Sequence, residues 1–269
     1  MKIALCFSGQ PRFIEECQDN IKKNLIDGYD VDIFAHGWWH PSYKGRVIAF
    51  ESEAKFDEIE EASDTFNRVY SPIRSFFEPQ IDFAKYLVRY NMKKNFCEIE
   101  NEIFVKKALF TQLSSLYSIM MADQLLGPER SKYDIVARVR TDLLFEQKVK
   151  WENFNSQSLK VSDGRPVAGW GPFCDWFAFG DPNSILAYTN MFNFHYPYNR
   201  EGLIHIHEFF KCALEVQGVP LEIVNLGCKL YRGHQKDGMH RKIETYTEDS
   251  LKSETEKWPH FFADSFGRK

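Results

Sequence analysis

The most constraining feature of this chain is the way it begins. Lys2–Ser8 is a short apolar run ending in Ser8-Gly9-Gln10-Pro11-Arg12, a strand running into a turn. Phe13–Ile26 follows with apolar residues at Phe13, Ile14, Cys17, Ile21 and Leu25, a helical spacing, and Gly28 stands just past its end as a stop. Tyr29–His36 is a second strand, closing on Gly37-Trp38-Trp39-His40-Pro41. Strand, turn, helix and strand in that order predict a parallel sheet with helices outside it.

Composition supports a folded chain of this kind. With 269 residues, 43% hydrophobic and 16% aromatic, it can bury a full core and is not a disordered segment. No apolar run reaches the roughly 18 residues a membrane helix needs, and the opening is too short for a signal peptide. A cytoplasmic protein is expected. A net charge of −4 without a basic block argues against a nucleic-acid partner held through phosphates. The cysteines (Cys6, Cys17, Cys97, Cys174, Cys212 and Cys228) show no CxxC spacing, so reduced thiols are expected and zinc held by cysteines is not.

Further along, helices are predicted over Lys55–Phe66 and Ile81–Met92, with a short strand at Ile73–Phe77. Asn101–Leu126 is the longest periodic segment, with Val105, Leu109, Leu113, Leu116 and Met120 on one stripe. Tyr133–Phe145 reads as one strand with charges inside it. Pro182–Asn193 and His207–Gln217 read as helices and Leu221–Leu226 as a late strand. There is neither repeat nor linker, so a single α/β domain over 1–269 is expected.

Several residues could carry chemistry. Strand alternation places Arg138, Arg140 and Asp142 on one face. Guanidinium forks match phosphate oxygens, and a carboxylate at a strand's end could hold a divalent cation bridging a diphosphate. An edge strand with a solvated polar face accounts for the triplet equally well. Ser8-Gly9-Gln10-Pro11-Arg12 offers a close backbone approach at Gly9 and a cation at Arg12, or else an ordinary turn. The same stretch satisfies Cys-x5-Arg, from Cys6 to Arg12, the spacing of a cysteine phosphatase. Phe13 stands where that chemistry prefers a hydroxyl, and Cys6 reads as strand interior. Asp175 follows a glycine-rich aromatic loop, where a carboxylate could deprotonate a sugar hydroxyl or simply cap a turn. His205-Ile206-His207-Glu208 has the residue types of a metal cluster, but it opens a helical pattern on which the histidines diverge, and Glu208 there also suits the helix dipole.

Together these segments resemble a group of bacterial and large-DNA-virus glycosyltransferases. The start through Ser8-Gly9-Gln10-Pro11-Arg12 is similar to that group's, as is Tyr29–His36 with its trailing tryptophans. Tyr133–Asp142 resembles its strand ending in Arg-x-Arg-x-Asp, and Asp175–Gly180 its aspartate-and-glycine element. The resemblance runs over roughly residues 1–230. It implies a GT-A-like, mostly parallel sheet flanked by helices, with a nucleotide-binding part over about 1–145 and an acceptor-binding part over about 146–269. It implies transfer of a sugar from a nucleoside diphosphate, UDP favoured, to a glycan or polysaccharide hydroxyl. Donor binding falls to Ser8, Gly9, Gln10, Arg12, His36, Arg138, Arg140 and Asp142. Acceptor stacking falls to Trp170 and Trp176, and proton removal to Asp175 first and Glu208 second. Mn2+ or Mg2+ would sit on Asp142, although Arg140 stands where the usual Asp-x-Asp has its first carboxylate. A carbohydrate-binding protein without catalysis is the remaining alternative.

Overall fold

The computed structural model describes residues 1–43, 62–83, 86, 102–154, 158–163, 173–198 and 206–231, with residues 102–108, 173, 196–198 and 208 described by their backbone alone. The expected opening is present. Strand β1 (Lys2–Gly9) leads through a turn into helix α1 (Ile14–Ile21), whose last turn widens into a π-helical turn at Lys22–Ile26 before β2 (Asp30–Trp38). Helix α2 (Ala62–Tyr70), strand β3 (Arg74–Glu78) and the long helix α3 (Glu102–Gln124) follow. Residues 55–61 of the predicted second helix, and nearly all of 84–92, lie outside the described residues.

The predicted strand Tyr133–Phe145 is broken in two. β4 (Ile135–Val139) ends before Arg140, and after a turn at Thr141-Asp142 the chain enters β5 (Leu143–Phe145). β5 leaves the main sheet and pairs antiparallel with β9 (Cys228–Leu230). Strands β6 (Leu159–Asp163) and β7 (Phe173–Gly180), helices α4 (Ser184–Thr189), α5 (Met191–Tyr198) and α6 (Ile206–Val216), and strand β8 (Leu221–Val224) complete the domain. The helix expected over Pro182–Asn193 is thus two, interrupted at Asn190.

The main sheet has seven strands in the order β3-β2-β1-β4-β7-β6-β8. All neighbours are parallel except β7, which is antiparallel to both β4 and β6. This is a mostly parallel, Rossmann-like sheet with helices on both faces, as the opening predicts. Ile3, Leu5, Phe7, Ala137 and Val139 pack on one face against α1 and α2. Ala4, Cys6, Phe34, Val136 and Ala178 pack on the other against α3 and α4–α6. Each face is apolar because both are covered. No helix among the described residues is long and apolar enough to cross a membrane.

One polar pair inside the helical layer has a measurable consequence. His195 on α5 is 1% exposed, and its Nε2 lies 2.6 Å from the Gln112 Oε1 on α3. Burial pushes its pKa down to about 3, and burial also lowers that of His36, against the pull of Glu78. An unfolded histidine binds a proton from about pH 6.5 downward while the buried His195 ring stays neutral, so stability falls as pH drops below that value. For His195 the loss reaches roughly 2–3 kcal/mol by about pH 4.5. Urea denaturation across this range will show the decline. His195→Asn will flatten part of it; an unchanged slope in that variant would refute the assignment.

Candidate functional site

In open α/β sheets ligands collect beyond the carboxyl ends of the strands, where the strand order reverses. Here that point lies between β1 and β4. The chain leaves β1 toward β2 on one side and returns to β4 on the other. The two turns that follow these strands meet there: the Arg12 backbone N–H donates to Thr141 Oγ1 at 3.0 Å, and that hydroxyl lies 3.4 Å from the Gln10 carbonyl.

Gly9 ends β1 with φ +107°, a conformation costly for any other residue. Its N–H donates to Ser118 Oγ of α3 at 2.7 Å, and nothing lies within 4 Å of where a Cβ would stand. The backbone is therefore pinned from below and open in front. Phe13, just after Arg12, is also left-handed, at φ 51°, and buried. A strained non-glycine residue beside a cationic one suits a loop held for binding.

His36 supports this loop from underneath. Its Nδ1 lies 2.8 Å from Ser118 Oγ and its Nε2 3.0 Å from Glu78 Oε1. The ring side chain is wholly buried, so its bearing on a ligand runs through Ser118 and Gly9. Ser118 and Glu78 gave no signal in the sequence, since they reach His36 only through α3 and the edge strand β3.

The Arg138, Arg140 and Asp142 triplet does not share one strand face. Arg138, in β4, is 3% exposed and points into the α3-side layer, where Nε donates to Ser8 Oγ at 3.1 Å and Nη1 donates to the Asp175 carbonyl. Arg140 and Asp142 lie in the turn beyond β4, where strand alternation no longer holds. Arg140 grips Asp142 bidentately, Nε to Oδ1 and Nη2 to Oδ2, both at 2.8 Å. Arg12 Nε lies 3.5 Å from the same Oδ2. Burial works against the Arg140 charge, but Asp142 outweighs it and keeps the guanidinium protonated.

This arrangement corrects the expected cation site. Asp142 is 1% exposed, and guanidinium groups engage both of its oxygens. A hard divalent cation needs those lone pairs. Mn2+ or Mg2+ therefore does not fit at Asp142, whose carboxylate organises two arginines instead.

Asp175 sits at an irregularity the sequence does not announce. Val161 pairs with Ala178 but Ser162 pairs with Cys174, so Asp175, Trp176 and Phe177 bulge out of the β6–β7 ladder. Bulges re-aim side chains and free backbone groups. The freed Asp175 carbonyl accepts from Arg138 and, at 2.9 Å, from the Tyr188 hydroxyl of α4. Asp175 Oδ1 lies 3.2 Å from His207 Nδ1 on the first turn of α6, and the Asp175 N–H donates to that nitrogen at 3.3 Å. Arg138 thus ties the end of β1 to the bulge and the acidic residue it presents. Trp176 is half-buried and packs on the core. Trp170 and the Glu208 side chain lie outside the described residues.

No protein-family model matches the chain, and no curated protein matches it. Solved structures do match. One is mouse xyloside xylosyltransferase 1 in its apo form, with a TM-score of 0.38 and 9% identity over 87% of this chain and 96% of that one.

Proposed function

We propose that this protein is a glycosyltransferase of GT-A type, moving a sugar from a nucleoside diphosphate donor, UDP favoured, to a hydroxyl of a glycan or polysaccharide. One observation carries the reading: the charge gathered at the switch point. Arg12, Arg138 and Arg140 converge there with Asp142 and Asp175, three guanidinium groups against two carboxylates. That excess of positive charge beside an open glycine turn suits a diphosphate, whose oxygens guanidinium forks match in geometry and charge.

The chemistry asks for two things. Negative charge developing on the leaving diphosphate must be stabilised, which preorganised arginines do at little reorganisation cost. The acceptor oxygen must also lose its proton as it attacks the anomeric carbon and the bond to the diphosphate oxygen breaks. Asp175 is the proposed acceptor of that proton in an inverting reaction, with Glu208 second, and Trp170 and Trp176 are the proposed stacking surfaces for the acceptor sugar. Ser8, Gly9 and Gln10 would approach the donor through the β1 turn, with His36 behind them.

A thermal-shift series with UDP, GDP and orthophosphate, in EDTA and in Mn2+, tests the reading. A nucleoside diphosphate will raise the melting temperature in EDTA, since binding the native state stabilises it. Orthophosphate acting as strongly as either nucleotide, or no nucleotide acting at all, would overturn it.

The phosphatase alternative is disfavoured by where the thiol lies. Cys6 is 1% exposed inside β1, facing α3, and burial pushes its pKa well up. The Gly9 N–H that a phosphate cradle would use is spent on Ser118. Cys6→Ala is therefore expected to keep nucleotide binding. A phosphatase activity of the wild type that vanished in this variant would reinstate the alternative.

A further inference from the structure

The β7 bulge brings Cys174 and Asp175 to the same place, although consecutive strand residues ordinarily point to opposite faces. The first turn of α6 adds His207. The Cys174 thiol, a carboxylate oxygen of Asp175 and a ring nitrogen of His207 all lie within 4.8 Å of one another. In a tetrahedral site with bonds of 2.0–2.3 Å, ligand atoms stand about 3.3–3.7 Å apart. The 3.2 Å between Asp175 Oδ1 and His207 Nδ1 is nearly such an edge.

We propose that Cys174, Asp175 and His207 form a binding site for a zinc-class divalent ion, with its fourth position open. The geometry, the donor chemistry and the charge balance support it. His207 Nδ1 lies 3.2 Å from Asp175 Oδ1 and 3.3 Å from the Asp175 backbone nitrogen, and an ion bound through its single lone pair would displace that long N–H contact. Two electron-rich atoms so placed repel unless a cation or a proton lies between them. The donor set is also chemically selective: a thiolate and an imidazole favour Zn2+, Co2+ or Fe2+ over Mg2+ and Mn2+. The charges close as well. A dication with one thiolate, one carboxylate and one neutral imidazole is formally neutral, the condition a buried site requires. Cys174 and Asp175 are both buried, and His207 is half-buried.

Binding replaces the thiol proton by the metal–sulfur bond, and that proton leaves to solvent. The metal site shares Asp175 with the proposed transfer chemistry, but its evidence and its test do not depend on that reading.

Co2+ is the probe. Titrated into the metal-free full-length protein, it will bind one ion per chain. The complex will show visible ligand-field bands of a tetrahedral ion and a near-ultraviolet thiolate-to-cobalt charge-transfer band. Cys174→Ser will abolish the charge-transfer band, while Cys212→Ser, which changes an exposed thiol, will leave it intact. His207→Gln will weaken binding at least tenfold, and it provides a second test should Cys174→Ser fold poorly. Zn2+ will raise the melting temperature of the wild type and not of either site variant. No charge-transfer band, or one that survives Cys174→Ser and His207→Gln, would overturn the site. Binding of UDP measured in parallel reports on the transfer reading alone. Loss of cobalt binding in Cys174→Ser with UDP affinity kept separates the two.

Discussion

Asp175→Asn is expected to cut sugar transfer by about 10²–10⁴-fold, the usual contribution of a positioned general base, because an amide cannot accept the acceptor's proton. Nucleotide affinity will barely change. The reason is structural: Arg138 and Tyr188 hold this residue by its backbone carbonyl, which asparagine retains. The bulge should survive and the chemistry should not. Turnover and UDP affinity must be measured on the same variant. Intact turnover would move the proton to Glu208, and lost UDP binding would make Asp175 a donor-side residue.

The second large effect concerns Asp142. Asp142→Ala leaves the half-buried Arg140 and Arg12 without the buried carboxylate they share. Breaking a fully buried pair from one side typically costs about 3–5 kcal/mol; because both guanidinium groups keep some contact with solvent, a smaller loss of about 1–3 kcal/mol is expected in urea denaturation. Arg140→Ala will instead weaken UDP binding by about 10- to 150-fold, the worth of a charge-assisted hydrogen-bonding group at roughly 1.5–3 kcal/mol. The double variant separates the roles. It should recover much of the stability that Asp142→Ala loses, since fewer charges are left unmatched, yet it should bind UDP no better than Arg140→Ala. A double variant as unstable as Asp142→Ala would show that the pair is not what holds this turn. UDP affinity that required Mn2+ in the wild type would return Asp142 to the metal.

Predictions on Asp175 and Asp142 depend on features of different legibility. The β1–α1–β2 unit could be read directly because its pattern is local: apolar alternation, a glycine turn, then a 3.6-residue period. Helix α3 was legible for the same reason, as its apolar stripe repeats over several turns. Tyr133–Phe145 misled because Arg140 and Asp142 continue the spacing of a strand that ends at Val139. Nothing local distinguishes a strand from a turn whose charged residues grip each other.

The sequence by itself determined the parallel sheet with helices outside it, and it singled out the Ser8–Arg12 turn, Arg138, Arg140, Asp142 and Asp175. It could do so because strand and helix periods, and the rarity of charges in buried strands, are properties of neighbouring residues. The tertiary structure decided what those residues do to one another. Arg140 takes both Asp142 oxygens, Arg138 spans from Ser8 to the Asp175 carbonyl, and Ser118 and Glu78 join His36 beneath Gly9. His207, read in the sequence as part of a diverging pair on a helix, meets Cys174 and Asp175 only because three residues of β7 leave the ladder. These contacts join groups tens of residues apart in the chain, and their energies depend on distance and burial, neither of which is written into local sequence.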